Sequence, residues 1–164
     1  MSSVLPFEII DQIIDIVGYN KDANLLKGLA LISHSFHQIC SKHLFATIDL
    51  HDANPKCHGK SSKKGFIKLV ESKPDVNYIR KLTYHLDGYG DSDDFRLSPK
   101  LSKLLRTISR LNCLAIDATY LDWNTLDSSL TSALLYLMRP PTVDHIDLSF
   151  IQNFPLSSLP PSVR

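Results

Sequence analysis

The sequence predicts an α/β repeat protein, with a three-helix module over residues 1–44 and an incomplete strand–helix array over residues 45–164. The array should form a parallel sheet with its helices along one side. Three observations predict this. Apolar residues recur at helical spacing through the N-terminal module. Beyond it, one apolar-x-x-apolar-x-apolar pattern occurs at Phe45–Leu50, Ile79–Tyr84, Leu111–Ile116 and Val143–Leu148, with starts 34, 32 and 32 residues apart. Each interval between copies holds a further helical stripe, bounded by capping residues and prolines.

Leu5 to Gly18 reads as one helix. Pro6 suits the first turn, where its missing N–H is no loss, and Gly18 suits the left-handed position that ends a helix. Ile9, Ile10, Ile13, Ile14 and Val17 fall on one stripe, with Glu8, Asp11, Gln12 and Asp15 opposite. The acids lie toward the positive end of the helix dipole. A polar loop, Tyr19 to Asn24, leads into a second apolar segment, Leu25 to Ile32, with Asn24 as its cap. Ser35 and Gln38 stand at capping-box spacing, which predicts a third helix starting there with Phe36, Ile39, Cys40 and Leu44 on its apolar side. Three helices in so short a stretch make a small core. The module therefore needs cover, from the following domain or from a partner.

In the array, alternation at the end of each pattern indicates a strand with one buried face. The first interval carries a helix over Lys63–Glu71, with Phe66, Ile67 and Val70 inward, caps at Ser61 and Ser62, and a stop before Pro74. Ser98-Pro99 opens the next, whose stripe is Leu101, Leu104, Leu105 and Ile108. The third spans Ser128–Met138, with Leu130, Leu134, Leu137 and Met138 on its apolar side, and ends at Pro140-Pro141. Strands alternating with helices argue for a parallel sheet, and a small open α/β sheet is the alternative to a repeat array. Phe154 to Arg164 reads as the start of another unit that does not reach its strand, without a polar capping repeat. A truncated array is expected, with Val143–Leu148 as an exposed edge. The strand positions between buried ones, Thr83, His85, Ala115, Asp117 and Asp147, are candidates for a binding face.

Composition excludes several classes. The chain is 43% hydrophobic and 21% charged, so a packed core is expected, and its net charge of +1 gives no reason to expect nucleic acid. Cys40, Cys57 and Cys113 show neither an even count nor CxxC spacing, which suits free thiols in a reducing compartment. The N-terminus lacks a signal-peptide pattern, and no apolar run reaches the roughly 18 residues of a membrane span. Cytoplasm or nucleus is expected, with no membrane partner. His51, Cys57 and His58 lack a fourth ligand and paired spacing, so no metal is expected. Lys56, Lys60, Lys63 and Lys64 read as a solvated loop running into a helix, because no aromatic residues interleave with them. Asp91, Asp93 and Asp94 do not match a calcium loop. No nucleophile elbow, P-loop, dinucleotide fingerprint or zinc-protease motif is present, so neither a cofactor nor catalysis is expected.

The string Leu5-Pro6-x-Glu8-Ile9-Ile10-x-x-Ile13-Ile14, then Leu25, Leu29-x-Leu31-Ile32-Ser33-His34-Ser35-Phe36, then His43-Leu44-Phe45, resembles an F-box over roughly residues 4–45. It departs from that pattern where Ser35 replaces a common Arg, Phe36 replaces the usual Trp, and the loop Gly18–Asn24 is slightly long. The resemblance implies docking on the Skp adaptor of a cullin–RING ubiquitin ligase, with Leu5, Pro6, Ile10, Ile14, Ser33 and Phe36 at or near the interface. An amphipathic helix serves core and interface alike, so for the isoleucines both readings stay open. The array resembles degenerate leucine-rich repeats. Its unit exceeds the usual length of about 20–29 residues, and Asp87, Thr119 and Ile151 stand where an Asn is usual. Trp123-Asn124-x-Leu126, the helix to Met138, and Val143-x-x-Ile146-x-Leu148-x-x-Ile151-x-x-Phe154-Pro155 are similar to the repeat region of F-box proteins abundant in mushroom-forming fungi. Together these imply a substrate receptor that docks through its F-box and selects a protein substrate through the strand face. The alternatives are an interaction or structural domain whose helices only cap the repeats, and a small hydrolase-like enzyme.

Overall fold

The computed structural model describes residues 6–51, 61–72, 78–86 and 99–160. Two compact units are present, Met1–Thr47 and Ile48–Arg164.

The first unit holds α1 (Phe7–Tyr19), α2 (Ala23–Ala30) and α3 (His34–Leu44). Ile14, Leu26, Ile39 and Cys40 form its buried centre, with Ile10, Val17, Leu29, Ala30, Phe36 and Leu44 packed around them. Its helix ends differ from the sequence expectation in four places. Pro6 sits one residue outside α1, where its carbonyl accepts from the N–H groups of Ile9 and Ile10. The helix runs past Gly18 to Tyr19, and the left-handed residue is Lys21, at φ 57°. Gly18 is required by packing instead, since a β-carbon there would run into the His43 ring of α3. Asp22 rather than Asn24 caps α2, its Oδ1 accepting from the Leu25 N–H at 3.0 Å. Ser33 rather than Ser35 caps α3, its Oγ accepting from the Phe36 N–H at 3.3 Å. Ser33 has the extended backbone that a cap needs, whereas Ser35 is already helical.

Across the same unit, Lys42 Nζ reaches both Asp11 and Asp15 at 2.8 Å, and His43 Nε2 lies 2.8 Å from Asp15. Hydrogen bonds from Lys42 and then His43 hold the Asp15 carboxyl below the ordinary range. Partial burial works against the Lys42 charge, but hydrogen bonds to Asp11 and Asp15 outweigh it and the ammonium pKa is raised.

The second unit is α/β. Its strands are β1 (Thr47–His51), β2 (Ser61–Ser62), β3 (Lys81–Leu86), β4 (Cys113–Asp122) and β5 (His145–Gln152), in the sheet order β2-β1-β3-β4-β5. The pairs β1–β2, β3–β4 and β4–β5 are parallel. Ser61 and Ser62, expected as helix caps, pair with Leu50 and His51. The helices are α4 (Lys63–Ser72), α5 (Pro99–Leu105) and α6 (Ser128–Met138). Ile108, expected on the α5 stripe, lies beyond the end of that helix yet is 1% exposed. Pro74 and Ser98 lie outside the described residues.

The spacing read from the sequence sets the register. Lys81 pairs with Cys113 and Cys113 with His145, so residues 32 apart lie side by side. The approach to each strand repeats as well. The Arg80 carbonyl accepts from the N–H groups of Asn112 and Cys113, and the Asn112 carbonyl accepts from those of Asp144 and His145. Ile79, Leu111 and Val143, which open three copies of the pattern, are buried anchors just before their strands rather than strand residues. Phe45 occupies the C-cap of α3 and is only half-buried.

Inward strand residues Leu82, Tyr84, Leu86, Leu114, Ile116 and Ala118 share one core with Phe66 and Val70 of α4, Leu101 and Leu105 of α5, and Leu130, Leu134 and Leu137 of α6. All three helices therefore cover the same sheet face. Burial pushes the Tyr84 phenol far above its ordinary range. Edge strand β5 is less well covered, and Ile146, Leu148 and Ile151 are only partly buried against this core.

Candidate protein-interaction surfaces

At 100° per residue, the apolar positions of α1 span an arc of roughly 180°, much wider than the stripe one packing face needs. One half of that arc, Ile10, Ile14 and Val17, faces the buried centre. The other half, Ile9, Ile13 and Ile16, is 42%, 47% and 63% exposed. Leu31 and Ile32, in the turn between α2 and α3, are exposed too. A unit this small thus leaves a second apolar face open.

The residues expected at an adaptor interface separate accordingly. Leu5 lies outside the described residues, and Pro6 is exposed. Ile14 is 1% exposed and packs with Leu26, Ile39 and Cys40, so it belongs to the interior and not to a contact surface. Ile10 and Phe36 are partly buried against the same centre. Ser33 is exposed, but its hydroxyl is occupied in capping α3. Ile9, Ile13, Ile16, Leu31 and Ile32 are the better-presented residues. The width of the apolar arc was the signal for the three isoleucines.

The second surface is the sheet face opposite the helices. Thr83, Ala115 and Asp147 lie in one cross-strand row, and His85, Asp117 and Ser149 in the next. Thr83, His85, Ala115 and Asp117 are half-buried, and Asp147 is exposed. His85 Nδ1 lies 3.1 Å from Asp117 Oδ2, and the His85 ring stacks on His51 with centroids 3.8 Å apart. Asp147 Oδ1 accepts from the Ser149 hydroxyl at 3.2 Å. The five candidates therefore share one side of the sheet.

Two neighbours escaped sequence reasoning. Tyr120 and Phe150 are 74% and 64% exposed, and both are left-handed, at φ 55° and 57°. Their rings lie 5.8 Å apart. Between Asp117 and Leu121 the pairing shifts, because β4 advances four residues while β5 advances two, from Ser149 to Ile151. The excess forms a bulge. The sequence signal was a repeated Asp-x-x-aromatic-aliphatic motif, Asp117-Ala118-Thr119-Tyr120-Leu121 and Asp147-Leu148-Ser149-Phe150-Ile151. A left-handed aromatic costs about 1–2 kcal/mol, and a ring that stays in solvent returns little of that through burial.

Among the described residues, no group of three or more His, Cys, Asp or Glu is placed to hold a metal ion. Lys56, Cys57, His58, Lys60, Asp91, Asp93 and Asp94 lie outside the described residues. Burial raises the pKa of both Cys40 and Cys113; at Cys113, Lys81 opposes the rise while Asp144 and Asp147 add to it. Neither thiol has the lowered pKa of a reactive nucleophile. No helix among the described residues is long and apolar enough to cross a membrane. Comparison with protein-family models, with curated proteins and with solved structures returns no match.

Proposed function

We propose that this chain is a substrate-receptor subunit of a Skp–cullin–F-box ubiquitin ligase, docking on the Skp adaptor through its N-terminal helices. The observation that carries the reading is the open apolar face of α1, Ile9, Ile13 and Ile16, on a helix whose opposite apolar half already fills the core. A helix serving only as a cap needs one apolar face. An exposed second face is disfavoured in water unless a partner covers it. In this reading the mechanism is positional. The helices lend the ligase, the sheet face with Thr83, His85, Ala115, Asp117 and Asp147 holds a protein substrate beside the exposed Tyr120 and Phe150, and catalysis belongs to other subunits. The complex would work in cytoplasm or nucleus, without a cofactor.

Co-purification with a Skp adaptor tests this, using the wild-type chain beside Ile9→Ser/Ile13→Ser, with folding checked by circular dichroism. A stoichiometric complex that the folded variant loses supports the reading. A well-folded wild-type chain that forms no complex sinks it, and leaves an interaction domain without a ligase role.

A further inference from the structure

The helix side of the second unit carries a recess that the receptor reading does not use. It has a volume of about 470 Å³ and lies beside the end of α5 and along α6. Arg106 and Arg139 line it, and among the described residues no carboxylate does. Arg106 is held in place from α6: its Nη2 donates to Ser132 Oγ at 2.8 Å, and its guanidinium lies 5.7 Å from the centre of the Tyr136 ring. A guanidinium has five N–H donors, and this contact uses one group. Neither arginine makes an ion pair among the described residues. The nearby Asp127 carboxylate is occupied by the N–H groups of Ser129 and Leu130 at the start of α6. The remaining wall is mixed, with the Thr131 hydroxyl beside the apolar surfaces of Trp123, Leu126 and Leu135.

We propose that this recess binds an organic phosphate ester. Two guanidinium groups with no ion-pair partner among the described residues suit a dianion better than a single carboxylate, and a pre-positioned arginine loses little freedom when it pairs with phosphate. Hydroxyl donors extend the set for a tetrahedral oxyanion. The apolar wall takes the organic body, which inorganic phosphate lacks. This assignment is independent of whether the first unit meets an adaptor.

Trp123 is the chain's single tryptophan, is 4% exposed and meets both the recess and the Phe154 ring, so its emission reports on this neighbourhood and calorimetry supplies the independent reading. The full chain is titrated with phenyl phosphate, inorganic phosphate and phenol, by fluorescence and in parallel by calorimetry. Phenyl phosphate is expected to bind saturably and at least tenfold more tightly than either fragment. Arg106→Gln/Arg139→Gln should lose at least tenfold in affinity with an unchanged thermal melt. Arg139→Gln alone, which leaves the Arg106–Ser132 contact in place, should lose part of it, and Lys103→Gln on exposed α5 surface should bind like wild type. Absence of saturable binding by both methods, inorganic phosphate binding as tightly as the ester, or binding that survives in the folded double variant would each overturn the proposal.

Discussion

Ile13 and Ile14 are sequence neighbours of identical chemistry, and substituting each by alanine separates core from surface on α1. Ile14 is 1% exposed and meets Leu26, Ile39 and Cys40, whereas Ile13 is 47% exposed. Burying one isoleucine side chain contributes about 1.5–3 kcal/mol. Truncation to alanine adds the penalty of an unfilled cavity, so Ile14→Ala should cost about 3 kcal/mol, within the range of 2–5 kcal/mol for such changes. For a unit with only four fully buried apolar residues among the described ones, that is a large share of its stability. Ile13→Ala removes surface that is already half wet and should cost under about 0.5 kcal/mol. Urea unfolding followed by helical circular dichroism measures both, and partner binding then gives the complementary reading. Ile13→Ala should weaken adaptor capture at nearly unchanged stability, while Ile14→Ala should weaken it only through unfolding. Equal destabilisation by the two substitutions would refute the division of the α1 arc on which the proposed function rests.

Phe150→Gly should change stability by no more than about 1 kcal/mol, because relief of the left-handed backbone, about 1–2 kcal/mol, is offset by the entropy of the added glycine, about 0.5–1 kcal/mol, and by loss of the tilted Tyr120 contact, about 0.5–1.5 kcal/mol. Phe150→Val should be less stable than Phe150→Gly in chemical denaturation, since a branched β-carbon fits that conformation worst; the reverse order would contradict the assigned backbone. In the helical unit, the lowered Asp15 pKa gives stabilisation that is present above the unfolded carboxylate pKa and lost as pH falls through the lower folded value. The raised Lys42 pKa gives stabilisation present below the unfolded lysine pKa and lost as pH rises through the higher folded value. Thermal melts against pH should therefore show an acid-side loss that Asp15→Asn flattens, and an unchanged acid limb in that variant would remove Asp15 from the account.

Much of the fold was legible because periodicity is a local property with a global consequence. Copies spaced by 32 residues place Lys81, Cys113 and His145 in one row, and alternation assigned Thr83, His85, Ala115, Asp117 and Asp147 to the side away from the helices. Helix ends were less legible. Asp22 and Asn24, or Ser33 and Ser35, offer nearly equal side chains, and the choice depends on which residue keeps a non-helical backbone when the helices pack. Gly18 shows the same dependence from the other side. Its sequence position suggests a helix terminator, but its role is close approach to His43, which lies 25 residues away in the chain.

The site was least legible where local preference is overridden. Tyr120 and Phe150 sit in strands, where aromatic residues are favoured, and nothing in β-propensity places them in the left-handed region. The repeated Asp-x-x-aromatic motif marks both positions, yet the unequal advance of β4 and β5 appears only once the strands are paired. Two adjacent strands keep a costly backbone at exposed rings beside the row of Asp117 and Ser149, and the rings are too wet for burial to offset that cost. The same logic applies to Ile9, Ile13 and Ile16. In both units apolar surface that folding leaves uncovered lies next to the residues proposed for binding, so substitutions at these exposed positions should change partner choice before they change stability.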